Sequence, residues 1–297
     1  MNNYVILTDS SCDLPNEICE RMDIEVIPLT VHLEGKAYHN YLDWRELSPA
    51  NFYNALRSGK IATTAAANVD DFLLAFRNCL TAGKDVIYIG LSSALSSTFS
   101  GAVAAINLLE SEYDSFIGRR IYAVDSRCGG LGLGLLAYLA AKAREAGMAL
   151  DSLRDYIENT KLRVCHWITV SDLNHFRRGG RLSYTTAFFG TILGIRPILH
   201  LSSESILEAY AKVRGQKNAV AALADKLNYA ENISESTIFV GHTGCPIDAA
   251  VLAGEVRARF KPKDIIIGNV GPAIGSHAGP DALALFFLGD RDMPKSK

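Results

Sequence analysis

Hydrophobic and polar positions along this chain fall into two alternating rhythms: short runs of branched and aromatic residues, and longer stretches where apolar residues recur at three- and four-residue spacing. The short runs predict strands at residues 4–8, 24–31, 85–91 and 120–124. The longer stretches predict helices at 16–22, 47–59, 69–82 and 99–110, and one that runs to 146 from the glycines before 134. A second series follows, with strands at 164–170, 198–201, 206–213, 237–242 and 264–270. Its helices are predicted at 172–178, 185–193, 216–228 and 247–259, before a last apolar run ending at Leu288. Residues 32–41, 61–68 and 271–280 read as polar or turn-rich connections. Strands alternating with helices predict an α/β protein, in which a doubly wound, mainly parallel sheet domain is joined to a second α/β domain with a ligand in the cleft between them. The change of pattern between residues 150 and 161 places the first domain at 1–160 and the second at 161–297.

Residues 85–110, DVIYIGLSSALSSTFSGAVAAINLLE, carry a buried strand into a helix through the hydroxyl-rich SSALSST. Hydroxyls at a helix N-terminus stand beside unpaired N–H groups and the positive end of the helix dipole, which together accept an anion. Ser96, Ser97 or Thr98 can equally serve only to cap the helix. Thr63 and Thr64, before the helix at 69, offer the same two roles. The glycines of CGGLGLG at 128–134 lack the third glycine of a dinucleotide fingerprint, and no acid follows at the required distance. Gly129, Gly130, Gly132 and Gly134 are therefore read as removing side chains from a helix start, to admit a bulky apolar ligand or to allow close packing.

Composition narrows the partners. Of the 297 residues 48% are apolar, ample for a packed core, and a formal charge of −2 without a basic cluster argues against nucleic acid and anionic membrane surfaces. The opening MNNYVIL is too short for a signal peptide, and no apolar run approaches a membrane span, so a cytoplasmic protein without stable membrane insertion is expected. Six scattered cysteines form no CxxC pair, and the histidines show no ligand spacing, so neither metal nor cofactor is expected.

Eight segments in order give the chain a resemblance to a known family. They are TDSSCDLP (8–15), the TxxxN loop (64–68), SSALSST (92–98), VDSRCGGLGLG (124–134), RRGGRLS (177–183), AKVRGQKNA (211–219), GHTGCP (241–246) and GPAIGSHAGP (271–280). Together they resemble the DegV family, the bacterial fatty-acid-binding type, along nearly the whole length. The resemblance implies a non-enzymatic protein that encloses one long-chain fatty acid and presents its carboxylate to a separate fatty acid kinase, so that the acyl phosphate feeds phospholipid synthesis. It implies that Thr64 and Ser96, with Thr63 and Ser97 beside them, hydrogen-bond the carboxylate. It further implies that His277 joins them, that Arg178 or Arg181 stands near the head group, and that Arg214 and Lys217 are candidates for kinase docking. Two departures alter the head-group end: the family's TSQPS is TAAAN at 64–68, and its LSGT is LSST at 95–98.

The residues agree with this on physical grounds, since a fatty acid is one anion on a long apolar tail, and the chain supplies hydroxyls at helix starts beside glycine-opened apolar helices. The rival is a serine hydrolase acting on acyl substrates. Gly90-Leu91-Ser92-Ser93-Ala94 follows a strand as a nucleophile elbow does, with His277 downstream, but Ala94 stands where the elbow needs glycine. A nucleotide enzyme would need a Walker A sequence, which the chain lacks.

Overall fold

A computed structural model describes residues 3–111, 118–182 and 194–291. The expected helix at 185–193 and Ser183 lie outside the described residues.

The first strand, β1 (Tyr4–Asp9), buries all six side chains, as a strand covered on both faces must. It pairs in parallel with β2 (Ile24–Ile27), and the expected single strand at 24–31 ends there. Pro28 has no N–H to offer a ladder, and the chain resumes as β3 (Thr30–Leu33) in a different sheet. β3 forms a three-stranded antiparallel sheet with β4 (Lys36–His39) and β5 (Ala62–Ala65), in the order β4-β3-β5. Both outer strands fall where the sequence reads as loop. Their burial alternates weakly or not at all, so they carry little period-2 signal.

The parallel sheet is completed by β6 (Asp85–Gly90) and β7 (Ile121–Asp125), in the order β2-β1-β6-β7. Helices cover both faces. After β1 comes α1 (Asn16–Arg21), whose Ile18 and Cys19 join a core with α5 (Leu131–Glu145) and α6 (Leu150–Thr160). The opposite core holds α2 (Pro49–Arg57), α3 (Val69–Thr81) and α4 (Thr98–Glu110). Residues 150–160, where the pattern change suggests a boundary, are thus a helix seated on the first sheet through Leu150, Leu153 and Ile157.

The second half builds a six-stranded sheet in the order β10-β9-β8-β13-β11-β12. Its members are β8 (Val164–Thr169), β9 (Ile195–Leu201), β10 (Leu207–Arg214), β11 (Thr237–His242), β12 (Asp264–Asn269) and β13 (Leu283–Leu288). Only β11 and β12 run parallel. One face is packed by α8 (Gln216–Asp225) and α9 (Pro246–Phe260). The other face meets α5, and Val164, Phe239, Ala284 and Phe286 join the same core as the first sheet.

Two short helices border the opening between the halves: α7 (Asn174–Arg178) and α10 (Pro272–Ala278). The latter corrects the reading of 271–280 as a loop. Pro272 sits at its first turn, Asp13 accepts from Gly271 N at 2.7 Å, and Asn40 accepts from Ala273 N at 3.1 Å. Its N-terminus is capped from the other half of the chain, which no local pattern announces.

Candidate functional site

In a doubly wound sheet ligands gather where neighbouring strands send their helices to opposite faces. Here β1 leads to α1 on one face and β6 leads to α4 on the other, so the switch point lies between their carboxyl ends. A cavity of about 1020 Å³, its open mouth included, begins there and extends along the second sheet. Ser11 follows β1 into its wall, and Leu91, Leu95 and Ser96 follow β6. The rest of the wall is largely hydrocarbon, including Leu29, Ile168, Leu201, Leu283 and Phe286.

Polar side chains from four distant segments meet at one end. Thr64, held on β5 opposite Val31, shares a hydrogen bond of 3.0 Å between its Oγ1 and His277 Nε2. Arg181 donates from Nε to the Leu95 carbonyl at 3.0 Å and also donates to the Gly179 carbonyl, tying RRGGR to SSALSST across the cavity. Ser96 lines the same space, with its Oγ 2.9 Å from Thr98 Oγ1 and accepting from Thr98 N at 3.2 Å. The cap role and the cavity position therefore coexist in one hydroxyl.

Gly179 makes the His277 position possible, because a Cβ there would lie 2.2 Å from Nδ1 of the imidazole. Burial, reinforced by the Arg181 charge, holds His277 down to about 4, so the ring is neutral at pH 7. Burial holds His242 down to about 4 as well. Between the ordinary 6.5 and these lowered values, the unfolded chain binds protons that the folded protein does not, so stability falls as pH falls through that window. Buried Asp9 and Asp13, whose carboxyls are raised by desolvation, act in the opposite sense, so the histidine contribution is read from a difference. We expect His277→Gln to lose less stability than wild type between pH 7 and pH 5. Urea midpoints at both pH values measure it, and equal losses would show that His277 is not the buried base described.

Comparison with known proteins bears on this geometry. A family model described as "Uncharacterised protein, DegV family" matches residues 3–290. A DegV domain-containing protein of Clostridium perfringens is 38% identical over 296 residues, covering 99% of this chain and 100% of that one. The chain belongs to the DegV family. Among solved DegV structures, a Thermus thermophilus protein described by its fatty acid binding superposes with a TM-score of 0.85 at 27% identity, covering 97% of this chain and 99% of that chain. DegV of Bacillus subtilis, described as a fatty acid binding protein, gives 0.81 at 29%, covering 97% and 100%.

The DegV motifs named from the sequence converge unevenly. Thr64, Ser96, Arg181 and His277 line the cavity, as do Gly129 and Gly130. Thr63 and Arg178 border an outer recess that shares Thr64, Arg181 and His277 with it. Arg178 is exposed, within 3.0 Å of His175 Nδ1. Ser97 is exposed, makes no side-chain cap bond and is not part of the cavity wall. Arg214 and Lys217 are exposed at the end of β10 and the start of α8, away from the cavity wall. The glycine run serves two purposes: Gly134 lets α5 approach the Cys12 carbonyl, where a Cβ would stand 2.5 Å away, while Gly129 and Gly130 open the cavity.

Sequence reasoning missed Ser11, His166 and Gly179. Ser11 carries a signal only in its strand-end position, and the other two depend on pairings between distant segments. Ser92, the serine of the hydrolase reading, is fully buried and accepts from Ala94 N at 3.3 Å, outside the cavity wall. The His277 ring faces Thr64 instead. Among the described residues no helix is long and apolar enough to cross a membrane.

Proposed function

We propose that this protein binds one long-chain fatty acid, burying the tail in the cavity and holding the carboxylate at Thr64, Ser96, Arg181 and His277, for presentation to a separate fatty acid kinase. One observation carries the reading: a hydrocarbon-walled cavity ends in a cluster of hydroxyls, a neutral imidazole and a guanidinium. The fatty acid binding described for the Thermus and Bacillus relatives supports it. Each buried methylene contributes about 0.8 kcal/mol, so a sixteen-carbon tail offers roughly 12 kcal/mol before ordering costs. The head-group donors add orientation, since a buried carboxylate must be hydrogen-bonded. In this reading residues 1–160 supply the hydroxyl loops, and residues 161–297 supply the wall over the acyl chain together with Arg181 and His277. Thr63 and Arg178 face the recess outside the carboxylate, where a partner would approach.

Denaturing mass spectrometry of an organic extract of the purified protein tests the binding. A long-chain fatty acid near one-to-one with protein is expected, and a protein that neither carries nor takes up fatty acid would overturn the reading. Arg214 and Lys217 are proposed to engage the kinase, because both are exposed cations away from the cavity. Reversing both charges should lower phosphorylation of the bound fatty acid by a matching kinase and leave the lipid content unchanged. Loss of lipid would show that this surface is misassigned.

A further inference from the structure

Strand register fixes where the cavity stops. β8 pairs with β13 so that Ile168 stands opposite Ala284 and His166 opposite Phe286, and all four line the cavity. In the pairing of β8 with β9, Trp167 meets His200, so the next position sets His166 beside Leu201, which in turn pairs with Leu207. Leu207, Leu201, His166 and Phe286 thus form one row across four strands, and each contributes to the cavity wall.

The neighbouring row contains Ala284 and, opposite it on β11, Gly241, small residues that leave the space open. One step beyond the His166 row stand Val164 and Leu288, which pack into the core with α5 and α6 and do not line the cavity. From Ala282 to Phe286, both in the cavity wall, the strand spans about 13 Å at the usual rise per residue.

His166 is the polar member of this row, and its hydrogen-bonding capacity is taken up elsewhere. Its Nε2 accepts from Gly129 N at 3.3 Å, which puts the ring proton on Nδ1, 2.9 Å from the Val164 carbonyl that receives it. Burial, with the Arg291 charge nearby, keeps the ring neutral. What remains to meet a ligand is ring carbon, set edge-on to Phe286 with centroids 5.3 Å apart. Gly132 gives the imidazole its place, because a Cβ there would lie 2.0 Å from Nε2.

We infer that His166, backed by Phe286, is the stop against which the methyl end of the acyl chain rests, and that it sets the longest chain the protein holds. The inference rests on the fatty acid reading above and adds a length limit to it. A histidine serves as a stop better than a leucine would in one respect, because its two anchored nitrogens fix the ring in one orientation where a leucine could turn aside.

Competition against a fluorescent fatty acid, with saturated chains of increasing length, tests this. In wild type each added methylene should strengthen binding about fourfold, the equivalent of about 0.8 kcal/mol, until the chain reaches His166, after which the gain should cease. In His166→Ala the fourfold steps should continue over further methylenes. His166→Leu refills the space and should restore a limit near that of wild type. Phe286→Val should also move the limit to longer chains, and it carries the test if His166→Ala does not fold. An unchanged limit in the folded alanine or valine variant would overturn the inference. So would a His166→Leu limit as long as that of His166→Ala, because bulk would then not be the cause. Wild-type protein that binds no fatty acid of any length would overturn the fatty acid reading itself, so the two failures are distinguishable.

Discussion

A protein carrying both Thr64→Val and Ser96→Ala should bind fatty acid far more weakly than wild type and present it poorly. In the proposed arrangement each substitution removes a donor from a buried carboxylate, and a hydrogen bond to a charged group contributes about 1.5–3 kcal/mol, or roughly ten- to a hundredfold in affinity per donor. The effects should not simply add, because Thr64 is bonded to His277 and Ser96 to Thr98, so each loss also frees a neighbour to rearrange. Tail burial remains intact in the variant. Some lipid should therefore stay bound, while the carboxylate loses its fixed orientation and phosphorylation by a matching kinase falls by more than occupancy does. Titration with a fluorescent fatty acid measures the first quantity and a single-turnover kinase assay the second. Wild-type values for both in the double variant would remove the shared-carboxylate arrangement from consideration.

The second large effect concerns the frame that holds the cavity. Asp9, fully buried at the end of β1, accepts from Ser11 N at 3.1 Å, Tyr88 OH at 2.8 Å and Leu91 N at 2.9 Å, and from the Ser11 hydroxyl. It ties the turn after β1 to the loop after β6, the two connections that flank the switch point. Asp9→Ala should leave Tyr88 OH and Leu91 N–H buried without their acceptor, at about 1–3 kcal/mol each. At roughly 2–4 °C per kcal/mol for a chain of this order of size, the melting temperature should fall by about 10 °C. Tyr88→Phe removes one donor and leaves the carboxylate its other three, so its melting temperature should fall by only a few degrees. Thermal melts of the two variants give the comparison. An Asp9→Ala protein melting within a degree or two of wild type would mean that the loops are held by their packing alone.

Much of the fold was legible in advance because its signals are local. A buried parallel strand such as 85–90 shows itself by an unbroken apolar run, and α3 and α4 by helical spacing. The strand, hydroxyl loop and helix of 85–110 could therefore be placed correctly. Motif order along the chain identified the family, because eight segments in sequence are a property of sequence itself.

Other features depended on partners far away in the chain. Proline at 28 divided one apolar run between two sheets, and β5 became a strand because β3 was present to pair with it. Residues Pro272–Ala278 became helical once Asp13 and Asn40 capped them, and that helix carries His277 to Thr64, 213 residues earlier in the chain. Gly179 reads as an ordinary glycine, and Gly132 only as one of a run that opens space at a helix start, until the imidazoles of His277 and His166 are seen occupying the space where their side chains would be. Periodicity reports which face of an element is buried. Only the register between strands and the crossing of the two halves decide which residues meet across a cavity, because those contacts depend on the packing of the whole chain and leave no trace in the spacing of neighbouring residues.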